Sequence, residues 1–408
     1  MQQQELIPHL FRTEFSRITS VLCRSFGIEY LQAAEDITSE TFLAAMETWP
    51  YKGVPANPAA WLYTVAKNKA HNYIKRSQIF QQKIAPGLIK EDSSTTLPEI
   101  DLSEQNITDS QLQMLFAICH PSLPAEAQIG LALRILCGFG IEEIANALLS
   151  TKDAVEKKLY RAKEKLRTEK VSISFPGNTE MMNRLDTALT TLYLLFNEGY
   201  YSESSDAVIR EDLCWEAMRL MTLLAGNEQT RLPQVNALLS LMCFHASRFA
   251  ARRNASGEII LYHDQDESLW NQDLINKGVY YLNRASRGEL LTKYHLEAGI
   301  AYWHTVKEDS LAKWDAVLQL YNRLLQVAYS PIAALNRTYA LAKVHGKTAA
   351  ISEAEKLQLH HNHYYFTLLG DLYTGIDNEK AKQHLDKALA LAKTVTDKKT
   401  IREKLERL

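Results

Sequence analysis

Apolar residues recur at helical spacing along nearly the whole chain, and this periodicity limits the folds that the sequence can adopt. Val155, Leu159, Ala162 and Leu166, for example, follow one another at intervals of three and four, which places them on one face of a helix. No run of alternating β-branched residues predicts a strand. The length of 408 residues is enough for two or three domains. The sequence therefore predicts an all-α protein.

Breaks in the periodicity divide the chain into segments. A helix from about 58 to 79 begins at the capping pair Asn57–Pro58. It is followed by a stretch rich in serine, threonine, proline and acidic side chains, which is typical of a flexible linker. Helical patterning then resumes. The sequence predicts two small helical domains, the acidic linker between them and a large C-terminal helical extension, with bounds at 1–80, 81–108, 109–171 and 178–408.

The overall charge excludes bulk attraction to nucleic acid. There are 46 basic and 48 acidic side chains, so the formal charge is −2 and any nucleic-acid binding depends on local basic stripes. The N-terminus lacks the pattern of a signal peptide and no stretch approaches 18 apolar residues, so a cytoplasmic protein without a membrane segment is expected. The five cysteines form no CxxC pair and are predicted to be small buried hydrophobic residues.

The first basic stripe lies in GIEEIANALLSTKDAVEKKLYRAKEKLR, residues 140–167, which has helix-turn-helix spacing. Residues 152–170 carry eight basic and four acidic side chains. A recognition helix places its first side chains at base edges and later cations at phosphates. The predicted base contacts are Thr151, Lys152, Asp153, Glu156 and Lys157, and the predicted phosphate contacts are Lys158, Arg161 and Lys165. A solvated basic helix in an ordinary hairpin explains this stripe alone equally well.

The second basic stripe is NPAAWLYTVAKNKAHNYIKRS, which has four cations and no acid from position 57 to 77. Aromatic and planar side chains lie between the cations. Such a surface can hold phosphates and stack unpaired bases, as the binding of single strands requires. For Trp61, packing in the core is the preferred interpretation. Two basic stripes in one chain favour nucleic-acid binding over two coincidentally solvated helices.

Together these segments resemble the bacterial extracytoplasmic-function (ECF) sigma factors, the promoter-recognition subunits of RNA polymerase. AEDITSETFLAAMETWP, in which Ile37, Phe42, Leu43 and Met46 fall on one predicted face, resembles the polymerase-clamp contact of sigma domain two. NPAAWLYTVAKNKAHNYIKR resembles its promoter-reading helix. EEIANALLSTKDAVEKKLYRAKEKLR is similar to the helix-turn-helix of sigma domain four. This resemblance covers residues 1 to about 171.

The remainder resembles the ECF subgroup with a long C-terminal extension of tetratricopeptide-like repeats, through motifs such as LYLLFNEGYYSESSD and HDQDESLW. Leu369, Gly370 and Tyr373, followed by Ala381 and Leu385, have the spacing of one such helix pair. Residues 331–354 look like a more divergent copy. FNEGYY, residues 196–201, is expected either in the core of the extension or at a contact with the sigma domains. A buried helix end capped through Gly199 explains the motif at least as well.

The resemblance implies a separate role for each segment of the chain. Asp36, Glu40 and Phe42 would contact the polymerase clamp, although Ser39 stands where family members commonly have glutamine. The melted −10 element would be held by Tyr51, Lys52, Asn57, Lys67, Asn68, His71, Lys75 and Arg76, and the helix-turn-helix would read the −35 element. The linker would thread toward the polymerase active-site channel and the extension would regulate activity. The implied partners are core RNA polymerase, promoter DNA and a small companion protein with a DGPF motif.

Two other classes of protein are weighed against this interpretation. An enzyme would depend on HHNHYY, residues 360–365, or on HDQD, residues 263–266. Helix-surface or turn positions explain the histidines better than a metal site does. An Asx-type turn or interhelical hydrogen bonding explains HDQD better. We therefore expect no catalytic residues, metal site or cofactor. A helical scaffold that has lost promoter function is the other alternative, and it differs from a sigma factor in tolerating alanine in the basic stripes.

Overall fold

The protein is all-α, as its sequence predicts. The computed structural model describes residues 3–84, 100–148, 150–177, 179–200, 210–252, 260 and 262–408. In these residues there are eighteen α-helices and no strand. The chain forms two compact units, Met1–Leu195 and Phe196–Leu408. None of the described helices is long and apolar enough to cross a membrane.

Seven of the described helices lie entirely within the first unit. Their bounds are α1 Gln3–Phe26, α2 Leu31–Lys52, α3 Pro58–Ile84, α4 Glu104–Ile118, α5 Ala125–Leu131, α6 Ile141–Ala147 and α7 Lys152–Thr168. A 3₁₀ turn, Ile28–Tyr30, precedes α2, and a π-helical turn, Ala132–Leu136, follows α5. Helix α8, Met181–Tyr200, spans the division between the units.

Helix α1 is the centre of the first unit. It contacts α2, α3 and α4. Phe15, Ile18 and Leu22 are fully buried, because apolar neighbours surround this helix on more than one face. The two segments that the sequence predicts as separate domains therefore share one apolar core.

The described ends of the predicted linker are helical. The helix predicted over about 58–79 is α3, and its predicted end is wrong, since α3 continues to Ile84. No proline or glycine interrupts the chain between Pro58 and Pro86. At the other end, α4 begins at Glu104, inside the predicted linker. The Asp101 carboxylate accepts a hydrogen bond from the Ser103 N–H at 2.9 Å just before that helix. Residues 85–99 lie outside the described part of the chain.

The second unit is built from helices packed in sequence. Its described helices are α9 Glu211–Gly226, α10 Pro233–Ala246, α11 Gln272–Ala285, α12 Lys293–Trp303, α13 Leu311–Val327, α14 Pro331–His345, α15 Lys347–Lys356, α16 His363–Tyr373, α17 Asn378–Leu391 and α18 Val395–Glu406. From α11 onward, each helix contacts the next one along the chain. This arrangement is typical of stacked helical repeats.

The predicted helix pair in the second unit is present as α16 and α17. Leu369, Tyr373, Ala381 and Leu385 are buried in a shared core, as their spacing predicts. The more divergent copy falls on α14 and α15. At the start of the unit, Phe196 and Tyr200 of FNEGYY are buried, and Tyr201 lies outside the described residues.

All five cysteines are buried, as predicted. Burial raises the pKa of the Cys119 and Cys243 thiols to about 12 in each case. A thiol with such a pKa is neutral near pH 7 and unreactive. The cysteines therefore act as small apolar core residues.

Candidate nucleic-acid interface

The predicted helix-turn-helix consists of α6 and α7 joined by a short turn. Thr151 caps α7, because its hydroxyl oxygen accepts a hydrogen bond from the Ala154 N–H at 3.3 Å. The predicted apolar stripe of α7 is buried at all four positions, which are Val155, Leu159, Ala162 and Leu166. This burial fixes the rotation of α7 and directs its charged residues outward.

The exposed face of α7 carries the residues predicted to read the −35 element. Seven of the eight are exposed, namely Thr151, Lys152, Asp153, Glu156, Lys157, Arg161 and Lys165, and Lys158 is half-buried. Lys158 Nζ donates to Glu126 Oε2 at 2.5 Å and lowers the pKa of that carboxyl group. Lys152 Nζ lies 3.4 Å from Glu142 Oε1. These two ion pairs orient Lys158 and Lys152, while the other cations predicted to contact DNA stay exposed to solvent.

The second basic surface lies on α3 and on the segment before it. The Asn57 side chain caps α3, as predicted, by accepting a hydrogen bond from the Ala60 N–H at 3.0 Å. Leu62, Ala66 and Ala70 form the buried stripe of this helix. A role for Asn57 at DNA would therefore compete with its structural role as a cap.

The predicted −10 residues are brought to the surface together. Lys67, His71 and Lys75 are four residues apart and share a face of α3, with Asn68 and Arg76 beside it. Lys52, Asn57, Asn68, Lys75 and Arg76 are exposed, whereas Lys67 and His71 are half-buried.

The aromatic residues near α3 have two different roles. Tyr51 is 90% exposed, so packing does not account for its position. Trp61 is half-buried and packs edge-on against Trp49 at 5.4 Å between ring centroids, which supports the core interpretation for Trp61. Tyr63 donates a hydrogen bond to Glu14 Oε2 at 2.5 Å, and burial followed by this bond raises its pKa. Tyr51 is therefore the most exposed of these three aromatic side chains.

An apolar groove of about 940 Å³ lies between the first turns of α1 and helix α2. Glu40 and Phe42, two of the three predicted polymerase contacts, line it, and the third, Asp36, is exposed on the same helix. Leu43 and Met46 are 52% and 57% exposed along the groove. Such apolar exposure is typical of a surface that binds another protein.

The predicted apolar face of α2 is split in the structure. Ile37 and Phe42 are buried, and the Phe42 ring packs edge-on against Phe11 at 5.0 Å. Leu43 and Met46 instead turn toward solvent. Phe42 therefore forms the floor of the groove rather than a protruding contact.

Two charged residues that the sequence analysis did not select connect these surfaces. Lys69 Nζ lies 3.0 Å from Glu40 Oε2 and so ties α3 to the groove. Glu35, on α2, has a side chain only 3% exposed and pairs with Arg134 and Lys163. The sequence held one signal for the burial of Glu35, which is its position between Ala34 and Ile37 on the buried face of an amphipathic helix.

The motifs considered for enzymatic chemistry have structural roles. Asp266 of HDQD accepts a hydrogen bond from the Ser268 N–H at 2.9 Å, which confirms the predicted Asx-type turn. Asn362 of HHNHYY caps α16 through a bond from the Tyr364 N–H at 2.8 Å. Within the described ranges, no cluster of three or more His, Cys, Asp and Glu residues could hold a metal ion.

Comparison with known families finds one match in each half of the chain. Residues 10–79 match Sigma-70 region 2, a match that begins in α1, spans α2 and ends in α3. Residues 184–286 match a family of unknown function, DUF6596. No solved structure matches the chain significantly.

Comparison with individual proteins extends the similarity over most of the chain. The uncharacterized protein R00370 of Rhizobium meliloti is 32% identical over 384 residues, which cover 93% of this chain and 90% of that protein. The ECF RNA polymerase sigma-E factor of Haemophilus influenzae is 27% identical over 133 residues, or 32% of this chain and 70% of that protein. The ECF RNA polymerase sigma factor BldN of Streptomyces coelicolor is 28% identical over 132 residues, or 32% and 47%. The chain therefore belongs to the same family as R00370, and its N-terminal part carries a sigma-70 region 2 of the kind found in ECF sigma factors.

Proposed function

We propose that this protein is a sigma factor that binds core RNA polymerase and directs it to promoters through their −35 and −10 elements. The observation that carries this proposal is the presence of two exposed basic surfaces, on α7 and on α3, within a unit that contains a sigma-70 region 2. Each surface is held outward by a buried apolar stripe on the opposite side of its helix. Such surfaces suit two contacts with one DNA molecule.

The two surfaces suit different forms of DNA. On α7, short polar side chains at the N-terminus followed by cations fit the major groove of a duplex. On α3, cations beside the exposed ring of Tyr51 fit a single strand, whose unpaired bases stack on aromatic side chains. We assign the −35 element to α7 and the melted −10 element to α3 and Tyr51.

The apolar groove on α2 is the proposed docking site for the clamp of core polymerase. Leu43 and Met46 supply exposed apolar area, and Glu40 supplies a charge at its edge. Ser39 also lines the groove, at the position where the resemblance to ECF sigma factors leads us to expect glutamine. A shorter side chain at this position makes fewer contacts with the partner.

The second unit is the proposed regulatory extension, of the tetratricopeptide-like type. Helices that contact their neighbours in sequence form extended surfaces suited to protein or peptide ligands. The small DGPF-motif companion implied by the family resemblance is the proposed partner of this unit. We assign no catalysis to the chain, and we place its action in the cytoplasm, where polymerase and promoters are found.

The salt dependence of DNA binding by the complex with core polymerase tests the proposal. Lys157→Ala and Arg161→Ala each remove an exposed cation from α7. Each change should weaken promoter binding and reduce the slope of log K against log salt by about one unit. Lys382→Ala, which removes an exposed cation from α17 in the second unit, should leave the slope unchanged. Unchanged slopes for both α7 variants would favour a helical scaffold without promoter function.

A further inference from the structure

Two buried cations meet at the ring of Tyr262 in the second unit. Arg248, just after α10, is 8% exposed, and Lys313, on α13, is 1% exposed. The guanidinium carbon of Arg248 lies 5.5 Å from the centre of the Tyr262 ring, and Lys313 Nζ lies 5.4 Å from it. Lys313 Nζ also donates a hydrogen bond to the Tyr262 hydroxyl oxygen at 3.1 Å. Two positive charges from distant parts of the sequence are therefore buried beside one aromatic side chain.

The acidic side chains nearby are paired with other lysines. Asp309 accepts hydrogen bonds from Lys343 Nζ at 3.0 Å and from the Trp314 indole N–H. Glu267 lies 3.7 Å from Lys307 Nζ. Among the residues that the structure describes, no carboxylate lies within 4 Å of either buried cation. Direct ion pairs in this part of the protein therefore do not balance the two buried charges.

A buried cation without a counter-ion is energetically unfavourable. Burial lowers the pKa of Lys313, and the charges of Lys343 and Arg248 lower it further, whereas Asp309 acts in the opposite direction. The Nε atom of Arg248 is buried and donates no hydrogen bond within the described ranges. A bound anion would supply both the missing negative charge and the missing acceptor.

Two uncharged polar groups beside Tyr262 also lack partners in the described part of the chain. The Trp270 ring stacks on the Tyr262 ring at 6.4 Å between centroids, and its buried N–H has no acceptor. Gln265 is 4% exposed, and its side-chain oxygen has no donor. A ligand hydroxyl can satisfy a group of either kind, because it both donates and accepts. Tyr262 and His304 are half-buried, so the cluster reaches solvent on this side.

An arginine and a lysine at one site favour a phosphate group over a single carboxylate. The guanidinium offers a planar fork of donors that matches phosphate oxygens, and the ammonium group adds a compact charge. A phosphate monoester carries about 1.5 to 2 negative charges near pH 7, which matches two cations. One carboxylate would leave one of the two cations without compensation.

We propose that Arg248, Lys313 and Tyr262 form a binding site for a phosphate group, either as inorganic phosphate or as part of a small phosphorylated molecule. Arg248 and Lys313 donate to the phosphate oxygens. Gln265 and Trp270 contact hydroxyl groups where the ligand has them. The binding itself is independent of the proposed function, whereas its role as a signal received by the regulatory extension depends on that function.

Calorimetric titration of the whole chain, in a buffer without multivalent anions, tests the site. The probes are inorganic phosphate, β-glycerophosphate and malonate. We expect both phosphate probes to bind more tightly than malonate, and the tighter of the two identifies the source of the phosphate group. Binding of malonate as tight as that of phosphate would contradict the assignment to phosphate. Absence of binding by both phosphate probes would contradict the site.

Substitutions distinguish this site from general attraction of anions to the protein. Arg248→Met removes one buried charge and keeps most of the apolar stem. It should raise the Kd for phosphate by about tenfold to a hundredfold, the effect of losing a hydrogen bond to a charged group. Lys313→Gln should weaken binding in the same range. Arg287→Met is the matched control, because Arg287 is an exposed arginine of the same unit, and its Kd should not change.

Stability without phosphate separates ligand binding from a purely structural role of Arg248. Replacement of one of two like charges by an apolar side chain should leave the free energy of unfolding unchanged or raise it. Added phosphate should then stabilise Arg287→Met but not Arg248→Met or Lys313→Gln. Equal stabilisation of all three variants by phosphate would show that the two buried cations serve packing alone, and it would contradict the site.

Transcription with core polymerase separates failure of this site from failure of the proposed function. Phosphate binding by a chain that neither binds polymerase nor supports transcription would contradict the sigma-factor assignment and leave the site standing. Transcription by a chain that binds no phosphate probe would contradict the site alone.

Discussion

At the scale of single residues, His245 shows how burial sets charge in the second unit. Its ring lies 4.4 Å from the Tyr200 ring between centroids. Burial, and then the nearby charges of Arg248, Arg252 and His304, lower the pKa of His245 well below its ordinary value of 6.5. The folded protein therefore keeps this imidazole neutral at pH values where the unfolded chain binds a proton.

We predict that His245 makes the protein less stable in mild acid. A lowered folded pKa leaves stability complete above the unfolded value of 6.5 and removes it as pH falls below that value. The slope from one such group reaches about 1.4 kcal/mol per pH unit. His245→Phe keeps an aromatic ring but cannot take a proton, so it should lose less stability between pH 7.5 and pH 5.5. Urea unfolding at the two pH values measures this difference.

An exposed histidine provides the control for this experiment. His345 lies on the surface at the end of α14. Between pH 7.5 and pH 5.5, His345→Phe should therefore lose as much unfolding free energy as the protein without substitutions. His120, His295 and His384 also have lowered pKa values, and they contribute equally to all three proteins. If His245→Phe loses as much unfolding free energy as His345→Phe between the two pH values, this account of His245 is contradicted.

The burial of single residues was predicted correctly from the sequence where a helix has only one apolar face. Val155 and Leu159 are buried as their spacing predicts, because α7 has a single apolar stripe. On α2 the same reasoning placed Met46 with Ile37 on one face, yet Met46 is exposed. Periodicity reports which residues share a face, but the neighbours of α2 decide how wide its buried face is.

At the scale of helices, the pair α16 and α17 depends on a close approach at Gly370. A Cβ atom added at Gly370 would lie 2.6 Å from Leu385 Cγ. Gly370 lies within α16, where alanine is otherwise the better helix former. The glycine is therefore required by packing against the neighbouring helix and not by the backbone of its own.

We predict that Gly370→Ala destabilises the second unit. Overpacking of this kind costs about 1–3 kcal/mol, which exceeds the gain in helix propensity. Gly226→Ala, at the end of α9, is the control, because an added Cβ there meets no neighbouring side chain or helix within 4 Å. Chemical unfolding of both variants measures the effect. Equal stability of the two would show that α17 moves freely away from α16 at this point.

Helix ends show what local sequence can and cannot predict. The start of α3 was predicted from Asn57 and Pro58, because capping depends only on neighbouring residues. The end of α3 and the start of α4 were predicted to lie in a linker, because acidic and small residues dominate that stretch. Glu104 is helical there, and its pairing with Arg17, far away in the sequence, supports the first turn of α4.

At the scale of the whole molecule, the sequence predicted the all-α fold and a large C-terminal extension but not the packing within the first unit. The contact of α1 with α4 joins residues far apart in the chain, such as Ser16 and Gln111. Periodicity carries no information about which helix faces which. The buried position of Glu35 was missed for the same reason, since its partners lie more than ninety residues away.

Transcription in vitro tests the central claim most directly. The protein is added to bacterial core RNA polymerase on a library of promoter fragments, and the transcripts are sequenced. We expect enriched transcripts whose templates share two spaced elements, with enrichment lost in a combined Lys157→Ala, Arg161→Ala and Lys75→Ala variant and kept in Lys382→Ala. Absence of both polymerase binding and enriched transcripts would contradict the assignment as a sigma factor.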